Sequence, residues 1–404
     1  MSLQRIIRPN ISVRVVFALI VFLSVCSGKN TEVANSINSF GLKLLRHCPS
    51  GENVMISPFS ISTAMAMLNT GAGGETKTQI DRAFGWTGVK DVLGKFRTLQ
   101  TSVSSGSGTM FNMTSNNRMY VDNRFQPLES YTRDLSENFQ ADVEKVNFGS
   151  GDNSETVEEI NSWVEEKTNG KIRRMFDQIN SNTAAILINT IYFNAQWKNP
   201  FTKTVKRQFY LDGENHVMTD MMTVTASFKY YKTDEAEVVA IPYQSGVSDI
   251  SMIVINPTTR GGLMALEKRV IRKRFSVIKK WINQSYRLSV QLSLPKFEFG
   301  SKLSNLKEIL QAWFGVENVF DMEKADLSGI SGERDLFVSK VIHQSFISVD
   351  EKRTEAAAAA AVQIMYRRGP KVVSIDHPFM FIIYDNKNKV ILFMGRVLNP
   401  TVGN

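Results

Sequence analysis

Apolar residues recur along this chain in two patterns, one with the helical period of 3.6 residues and one typical of strands. The helical pattern predicts helices at 33–48, 60–69, 76–84 and 156–168. Strand-like runs predict strands at 184–193, 237–241, 249–255, 289–299, 337–347 and 389–397. Because helices crowd the first half and strands the second, the pattern predicts an α+β domain with large mixed or antiparallel sheets.

One stretch, 351–369, supports two structural interpretations. Glu355 and the six alanines at 356–361 favour a helix by propensity, although no apolar stripe would hold that helix on a core. In a strand, alternate residues from Thr354 to Ala360 would share one face of small side chains, which suits insertion into a closely packed sheet. Arg367 and Arg368 follow and offer the cationic side chain that trypsin-like specificity pockets bind.

The strongest cluster of positive charge also fits two interpretations. Apolar residues between its members predict an amphipathic helix over 268–281 with a cationic outer face. The face is either an ordinary solvated surface or a binding site for a sulfated polysaccharide such as a heparin-like glycosaminoglycan. No motif supports nucleic acid binding. The cluster consists of Lys268, Arg269, Arg272, Lys273, Arg274, Lys279 and Lys280.

The first 28 residues have the pattern of a signal peptide. Three arginines precede an apolar run at 15–23, which is shorter than the roughly 20 residues of a membrane span. A signal anchor is the weaker alternative. We expect cleavage near Ser27 or Gly28 and a soluble, secreted, extracellular protein. The full chain carries a net charge of +9, and loss of three arginines and no acidic residue would leave +6.

The residues after the signal contain little catalytic chemistry. Cys48 would be the single remaining cysteine, so no internal disulfide is expected, and the thiol is either buried and inert or available for mixed disulfides. The four histidines are too dispersed for a local metal motif. We expect no enzyme activity, no cofactor and no metal. Asn112 and Asn283 are glycosylation acceptors if the chain is secreted.

The 354–359 stretch resembles the reactive-centre loop hinge of inhibitory serpins. The run from Asp376 to Ile383 is similar to the serpin C-terminal signature, and the resemblance covers essentially everything after about residue 33. Further matches lie at 53–61, 71–76, 160–164, 168–172, 187–193, 197–201, 294–297, 325–330, 393–397 and 399–400. The resemblance implies a serpin fold of three β-sheets and about nine helices, with one domain over 29–404 and its loop at about 351–375.

The resemblance also implies the site residues. In serpins the scissile bond follows the residue 16 positions after the hinge glutamate, which places it after Arg367 and before Arg368. A slip of one residue would give Arg368 the same role. The hinge would contain Glu351, Arg353, Thr354, Glu355, Ala356, Ala357, Ala358, Ala359 and Ala360. The shutter would contain Ser57, Ser60, Asn189 and His343, and the breach, where the loop enters the central sheet, would contain Trp197.

The resemblance, together with the arginines at 367 and 368, implies a suicide substrate of trypsin-like serine proteases. The protease would become acyl-linked to Arg367 and be trapped when the loop inserts as a strand. Arg353 stands where the family usually has glycine, which would slow insertion and favour substrate behaviour. The alternatives are a non-inhibitory carrier or storage serpin and a polyanion-binding protein. We expect a monomer with no nucleic acid or membrane partner.

Overall fold

The computed structural model describes residues 31–104, 111–149, 152–244, 249–273, 275–351 and 369–403. These ranges contain ten α-helices and a 3₁₀ turn at Asn318–Phe320. The helices are α1 Thr31–Leu45, α2 Pro58–Thr70, α3 Gly74–Phe84, α4 Val92–Ser104, α5 Glu129–Phe139, α6 Ser154–Lys167, α7 Leu263–Lys273, α8 Phe275–Gln284, α9 Leu306–Phe314 and α10 Ser328–Ser331. None of the helices in these ranges is long and apolar enough to span a membrane.

The same ranges contain fourteen strands. They are β1 Val54–Ile56, β2 Phe111–Asp122, β3 Asp142–Val146, β4 Ala185–Ala195, β5 Lys203–Tyr210, β6 His216–Lys232, β7 Ala236–Pro242, β8 Ile250–Pro257, β9 Tyr286–Pro295, β10 Phe297–Leu303, β11 Lys340–Val349, β12 Lys371–Ser374, β13 Phe379–Asp385 and β14 Val390–Val397. The α+β class predicted from the sequence is confirmed.

The strands form two hydrogen-bonded sheets. One has five strands in the order β10-β11-β4-β2-β3. The other has nine, in the order β1-β14-β13-β8-β7-β6-β9-β12, with β5 added on β6. The family resemblance implies three sheets, but hydrogen bonding joins two of them into one. The long strand β6 makes this connection, because its C-terminal part pairs with β7 and its N-terminal part pairs with β5.

Buried helices and strands form the centre of the molecule. Every residue of β8, β13 and β14 is buried, as is typical of strands covered on both faces. Helix α2 is buried from Pro58 to Asn69 and is capped by Ser57, whose Oγ accepts a hydrogen bond from the Ser60 N–H at 3.1 Å. This cap fixes where the helix starts, directly beside the five-stranded sheet.

One sequence-based element boundary is wrong. The strand predicted over 289–299 is two strands, because the chain leaves β6 at Pro295 and joins β11 at Phe297. The basic helix predicted over 268–281 falls on α7 and α8, which lie on either side of residue 274, outside the described residues. Around Lys296 the apolar pattern continues across the change of strand partner, so periodicity alone cannot detect this break.

Cys48 is buried and has no disulfide partner. Burial raises the pKa of its thiol to about 12, with Arg396 opposing the shift. The thiolate is therefore scarce at neutral pH, and the buried, inert interpretation agrees with this environment.

Candidate functional site

The candidate site consists of the two ends of the 352–368 segment and the strand pair beside them. Its first end is Glu351, directly after β11. The Glu351 carboxylate forms an ion pair with Lys296 at 3.0 Å and accepts a hydrogen bond from the Thr204 hydroxyl at 3.3 Å. Its own backbone N–H, and then Lys296 and Thr204, hold the pKa of Glu351 below its usual value against the effect of partial burial. The segment therefore begins at a charged anchor between β5 and the β9–β10 junction.

Trp197 provides a second contact at this end. Its indole Nε1–H donates to the Asp350 carbonyl at 2.8 Å, one residue before the anchor. The ring is 3% exposed and stacks on Tyr243 with centroids 4.4 Å apart. Because Trp197 closely follows β4, it connects the C-terminal ends of β4 and β11.

The other end of the segment is held by β12. Residues Lys371 to Ser374 pair in parallel with β9. The Lys371 ammonium lies 3.6 Å from the Glu237 carboxylate, which also accepts a hydrogen bond from the Tyr230 hydroxyl at 2.6 Å. Both ends are thus attached to the protein body.

Strands β4 and β11, the second of which leads into Glu351, pair directly with each other. They are parallel, and eight residue pairs run from Ile186–Lys340 to Phe193–Ile347. A segment that follows β11 and folds back between them would run antiparallel to both strands. It would replace one parallel ladder by two antiparallel ones, which are slightly more stable per residue. The arrangement can therefore accept an additional strand.

A buried polar network lies under this strand pair. His343 on β11 has 0% exposure, and its Nε2 accepts a hydrogen bond from the Ser57 N–H at 3.1 Å. Its Nδ1 lies 2.6 Å from the Asn189 Oδ1, so the consistent tautomer is neutral with the proton on Nδ1. Burial lowers the pKa of His343 to about 3, which agrees with a neutral ring.

Asn189 extends the network from β4 to its neighbours. Its Nδ2 donates to the Ser60 hydroxyl and, at 2.6 Å, to the Asn117 Oδ1 on β2. The Ser57 hydroxyl donates to the Leu392 carbonyl on β14 at 2.6 Å. The structure thus brings together the four residues that the family resemblance assigns to the shutter. Through them it joins α2, β2, β4, β11 and β14.

Some of the other predicted site residues lie in the described part of the chain, and the rest lie outside it. Five of the basic residues on α7 and α8 are exposed, and Arg269 is half-buried and paired with Glu235. Asn283 is exposed in the last turn of α8, a position that leaves its amide open to modification. The predicted site residues that lie outside the described residues are Arg274, Arg353, Thr354, Glu355, Ala356, Ala357, Ala358, Ala359, Ala360, Arg367, Arg368 and the side chain of Asn112.

Sequence reasoning missed four residues that the geometry adds: Lys296, Thr204, Asp350 and Asn117. Lys296 lies inside a recognised motif, 294–297, which was the available signal for it. No local sequence pattern indicates the other three, because each contacts a residue at least 70 positions away in the chain. Their contacts exist only in the folded state.

Comparison with known proteins agrees with this architecture. The family model described as Serpin (serine protease inhibitor) matches residues 35–400. The chain is 35% identical to a serine protease inhibitor of Cyanea capillata, over 86% of this chain and 93% of the other. It is 32% identical to the human leukocyte elastase inhibitor, over 89% of this chain and 96% of the other.

Solved structures give the same result. The mouse protein-Z dependent protease inhibitor superposes with a TM-score of 0.80 at 28% identity, covering 92% of this chain and 98% of that one. The family resemblance and the serpin fold expected from the sequence are confirmed. This chain belongs to the serpin family, whose members are mostly inhibitors of serine proteases.

Proposed function

We propose that this serpin is a secreted inhibitor of trypsin-like serine proteases, with Arg367 as the residue before the scissile bond. The protease attacks the bond between Arg367 and Arg368 and becomes acyl-linked to Arg367. The freed segment then inserts between β4 and β11 and carries the protease with it. The observation that carries this proposal is the direct parallel pairing of β4 with β11, next to the Glu351 anchor from which the 352–368 segment starts.

The length of the segment suits this role. Residues 352–367 number sixteen, whereas β4 has 11 residues. At about 3.3 Å per residue, sixteen extended residues reach about 50 Å, which is enough to carry a linked protease along the whole strand. Thr354 and alternate alanines would form the small inward face, and Arg353 would point to the opposite face, where its charge stays solvated.

Insertion is favourable because a solvated segment gains strand hydrogen bonds, each worth about 0.5–1.5 kcal/mol net. The intact chain is tied at Glu351 and again at β12, so full insertion requires cleavage between them. The uninserted state is therefore maintained kinetically. Cleavage after Arg367 releases one tie, and the stored free energy distorts the trapped protease.

The experiment that tests this proposal incubates the protein with equimolar trypsin and examines it on a denaturing gel. We expect a covalent complex and a released fragment that begins at Arg368. Arg367→Ala should abolish complex formation. Arg368→Ala should retain it, because the second arginine lies after the bond. Complete cleavage with active trypsin remaining would refute inhibition and favour a substrate, carrier or storage role.

Secretion is part of the proposal and has its own test. Expression of the full chain in secretory cells should place the protein in the medium with its N-terminus near residue 28. The exposed Asn283 supports a glycan on α8, and glycosidase treatment should lower the apparent mass of the wild type more than that of Asn283→Gln. Retention in the cell with the leader intact would contradict secretion.

We also propose that the exposed lysines at the end of α7 and on α8 bind a heparin-like polyanion. Lys273, Lys279 and Lys280 are exposed and belong to the cationic face that the sequence indicates. Changing all three to alanine should lower the salt concentration at which the protein elutes from immobilised heparin. An unchanged elution point would show that this face is an ordinary solvated surface.

A further inference from the structure

A wide cavity lies between α1, α7, the end of α9 and strand β14. Its volume is about 1210 Å³, slightly above the roughly 300–1,000 Å³ typical of small-molecule pockets. None of the loop-anchor or shutter residues lines it. The cavity is therefore separate from the inhibitory machinery and requires its own explanation.

One wall of the cavity is apolar. Leu42, Leu263, Ile271 and Phe314 contribute to it, and Trp313 and Met264 lie at its mouth. Trp313 is 65% exposed and Met264 is 61% exposed, which places them among the most exposed large apolar side chains of the described residues. Apolar side chains left exposed together beside a concave surface indicate a binding site. Exposing these side chains to water does not stabilise the unliganded protein.

The rim of the cavity is cationic. Lys43 lies on α1, Arg46 directly follows that helix, and Lys268 and Arg272 lie on α7. All four are exposed, and none has an ion-pair partner within the part of the chain that the structure describes. Two helices that are far apart in the sequence therefore place unpaired positive charges around one apolar cavity.

The acidic lining residues do not cancel this charge. Glu267 is paired with Arg396 at 2.6 Å, and Asp212 is the other acidic residue of the lining. The His47 ring stacks on Trp313 with centroids 4.4 Å apart. Partial burial, and then the neighbouring Arg46, lower the pKa of His47, so its ring is neutral at physiological pH. The local field is positive, and the low-dielectric wall strengthens it.

We propose that this cavity binds a small amphipathic anion, with its apolar body against Trp313 and Ile271 and its carboxylate, sulfate or phosphate group at Arg46 and Arg272. A purely apolar ligand would leave the cations without partners. A fully hydrated polyanion would leave the apolar wall uncovered. The combination of both features selects a molecule that has an apolar body and an anionic group.

The test uses anilinonaphthalene sulfonate, a fluorescent probe with an aromatic body and one negative charge. Its neutral counterpart, phenylnaphthylamine, is the matched control for charge. We expect saturable one-to-one binding of the sulfonate, and affinity about tenfold lower for the neutral probe, which corresponds to about 1.4 kcal/mol. Equal affinity for both probes, or binding that does not saturate, would overturn the proposal.

Two double variants locate the site. Arg46→Ala/Arg272→Ala should weaken sulfonate binding about tenfold and leave phenylnaphthylamine binding unchanged. Arg97→Ala/Arg133→Ala removes the same number of exposed arginines from α4 and α5, outside the cavity, and should change neither probe. Equal losses in the two double variants would indicate general surface attraction and would contradict the cavity.

A third variant tests the apolar wall. Trp313→Ala should weaken both probes, whereas Trp313→Phe should restore most of the affinity because it retains an aromatic face. All variants should unfold at the wild-type temperature and form the trypsin complex as the wild type does, so that a loss of probe binding reports the cavity and not the fold. Unchanged binding of both probes to Trp313→Ala would refute the assignment.

Discussion

The shutter network and the Glu351 anchor both hold the region of β4 and β11, by different physical means. The shutter is fully buried and neutral, and each of its main groups has a partner. The anchor is an ion pair whose side chains are 45% and 35% exposed. Buried hydrogen bonds are costly to leave unmade, whereas exposed ion pairs contribute little. Separation of β4 from β11 should therefore begin at the anchor, and the buried shutter should determine most of the free energy that the separation requires.

The largest effect is expected from removing a shutter residue. Asn189→Ala leaves the His343 Nδ1–H and the Asn117 Oδ1 without their buried partner, and should lower the free energy of unfolding by about 3 kcal/mol. Denaturant unfolding measures this change. Asn283→Ala, at an exposed helical position, is the matched control and should stay within about 0.5 kcal/mol of the wild type. Similar values for the two variants would refute the dominant role of the shutter.

Acidification should weaken the shutter selectively. The pKa of His343 is about 3 in the folded protein, against 6.5 ordinarily, because burial disfavours the charged ring. At pH values between 3 and 6.5 the unfolded chain binds a proton at His343 that the folded protein does not bind. The folded state therefore keeps its full stability above pH 6.5 and loses stability as the pH falls toward 3. Between pH 7 and pH 5 the expected loss is about 2 kcal/mol.

His343→Gln is the variant that isolates this effect, because glutamine keeps hydrogen-bonding groups and does not titrate. Its unfolding free energy should depend less steeply on pH than that of the wild type between pH 7 and pH 5. His47→Gln serves as the comparison, since His47 is only partly buried and lies outside the shutter. If His343→Gln retains the wild-type slope, another group is responsible.

Breaking the anchor should change kinetics more than stability. Lys296→Ala removes the ion pair to Glu351, and because both side chains are more than one third exposed the unfolding free energy should fall by less than about 1 kcal/mol. The rate of trypsin inhibition should rise, since the start of the segment is no longer held. Lys206→Ala breaks the 3.1 Å pair with Asp220 without touching Glu351, and its rate should equal that of the wild type. A rate increase in both variants would contradict a specific anchor.

The smallest effect is expected from salt. At about 1 M ionic strength the Debye length falls to about 3 Å, which screens the exposed anchor and leaves the buried shutter unaffected. The inhibition rate of the wild type should rise slightly and approach that of Lys296→Ala, whose own rate should change less. Equal salt dependence in both proteins would show that the Glu351 pair does not limit insertion.

Local patterns were sufficient for much of the fold. The helix predicted at 76–84 corresponds to α3, because its apolar residues recur at helical spacing and Gly85 ends it. The strand predicted at 389–397 corresponds to β14, because it is a short, nearly continuous apolar run. Strands such as β5 were not predicted, because most of its residues are exposed and carry no buried alternation. Edge strands owe their conformation to one neighbouring strand, which a local pattern does not reveal.

The sequence by itself determined the family of this protein and its main helices and strands, through motifs and apolar patterns that lie within single segments. The tertiary structure alone decided that the chain changes sheets at Lys296, that this lysine meets Glu351, and that Arg46 and Arg272 border one cavity. The physical reason is sequence separation. An apolar period is a property of neighbouring residues, whereas an ion pair or a cavity exists only after segments distant in the chain have packed together.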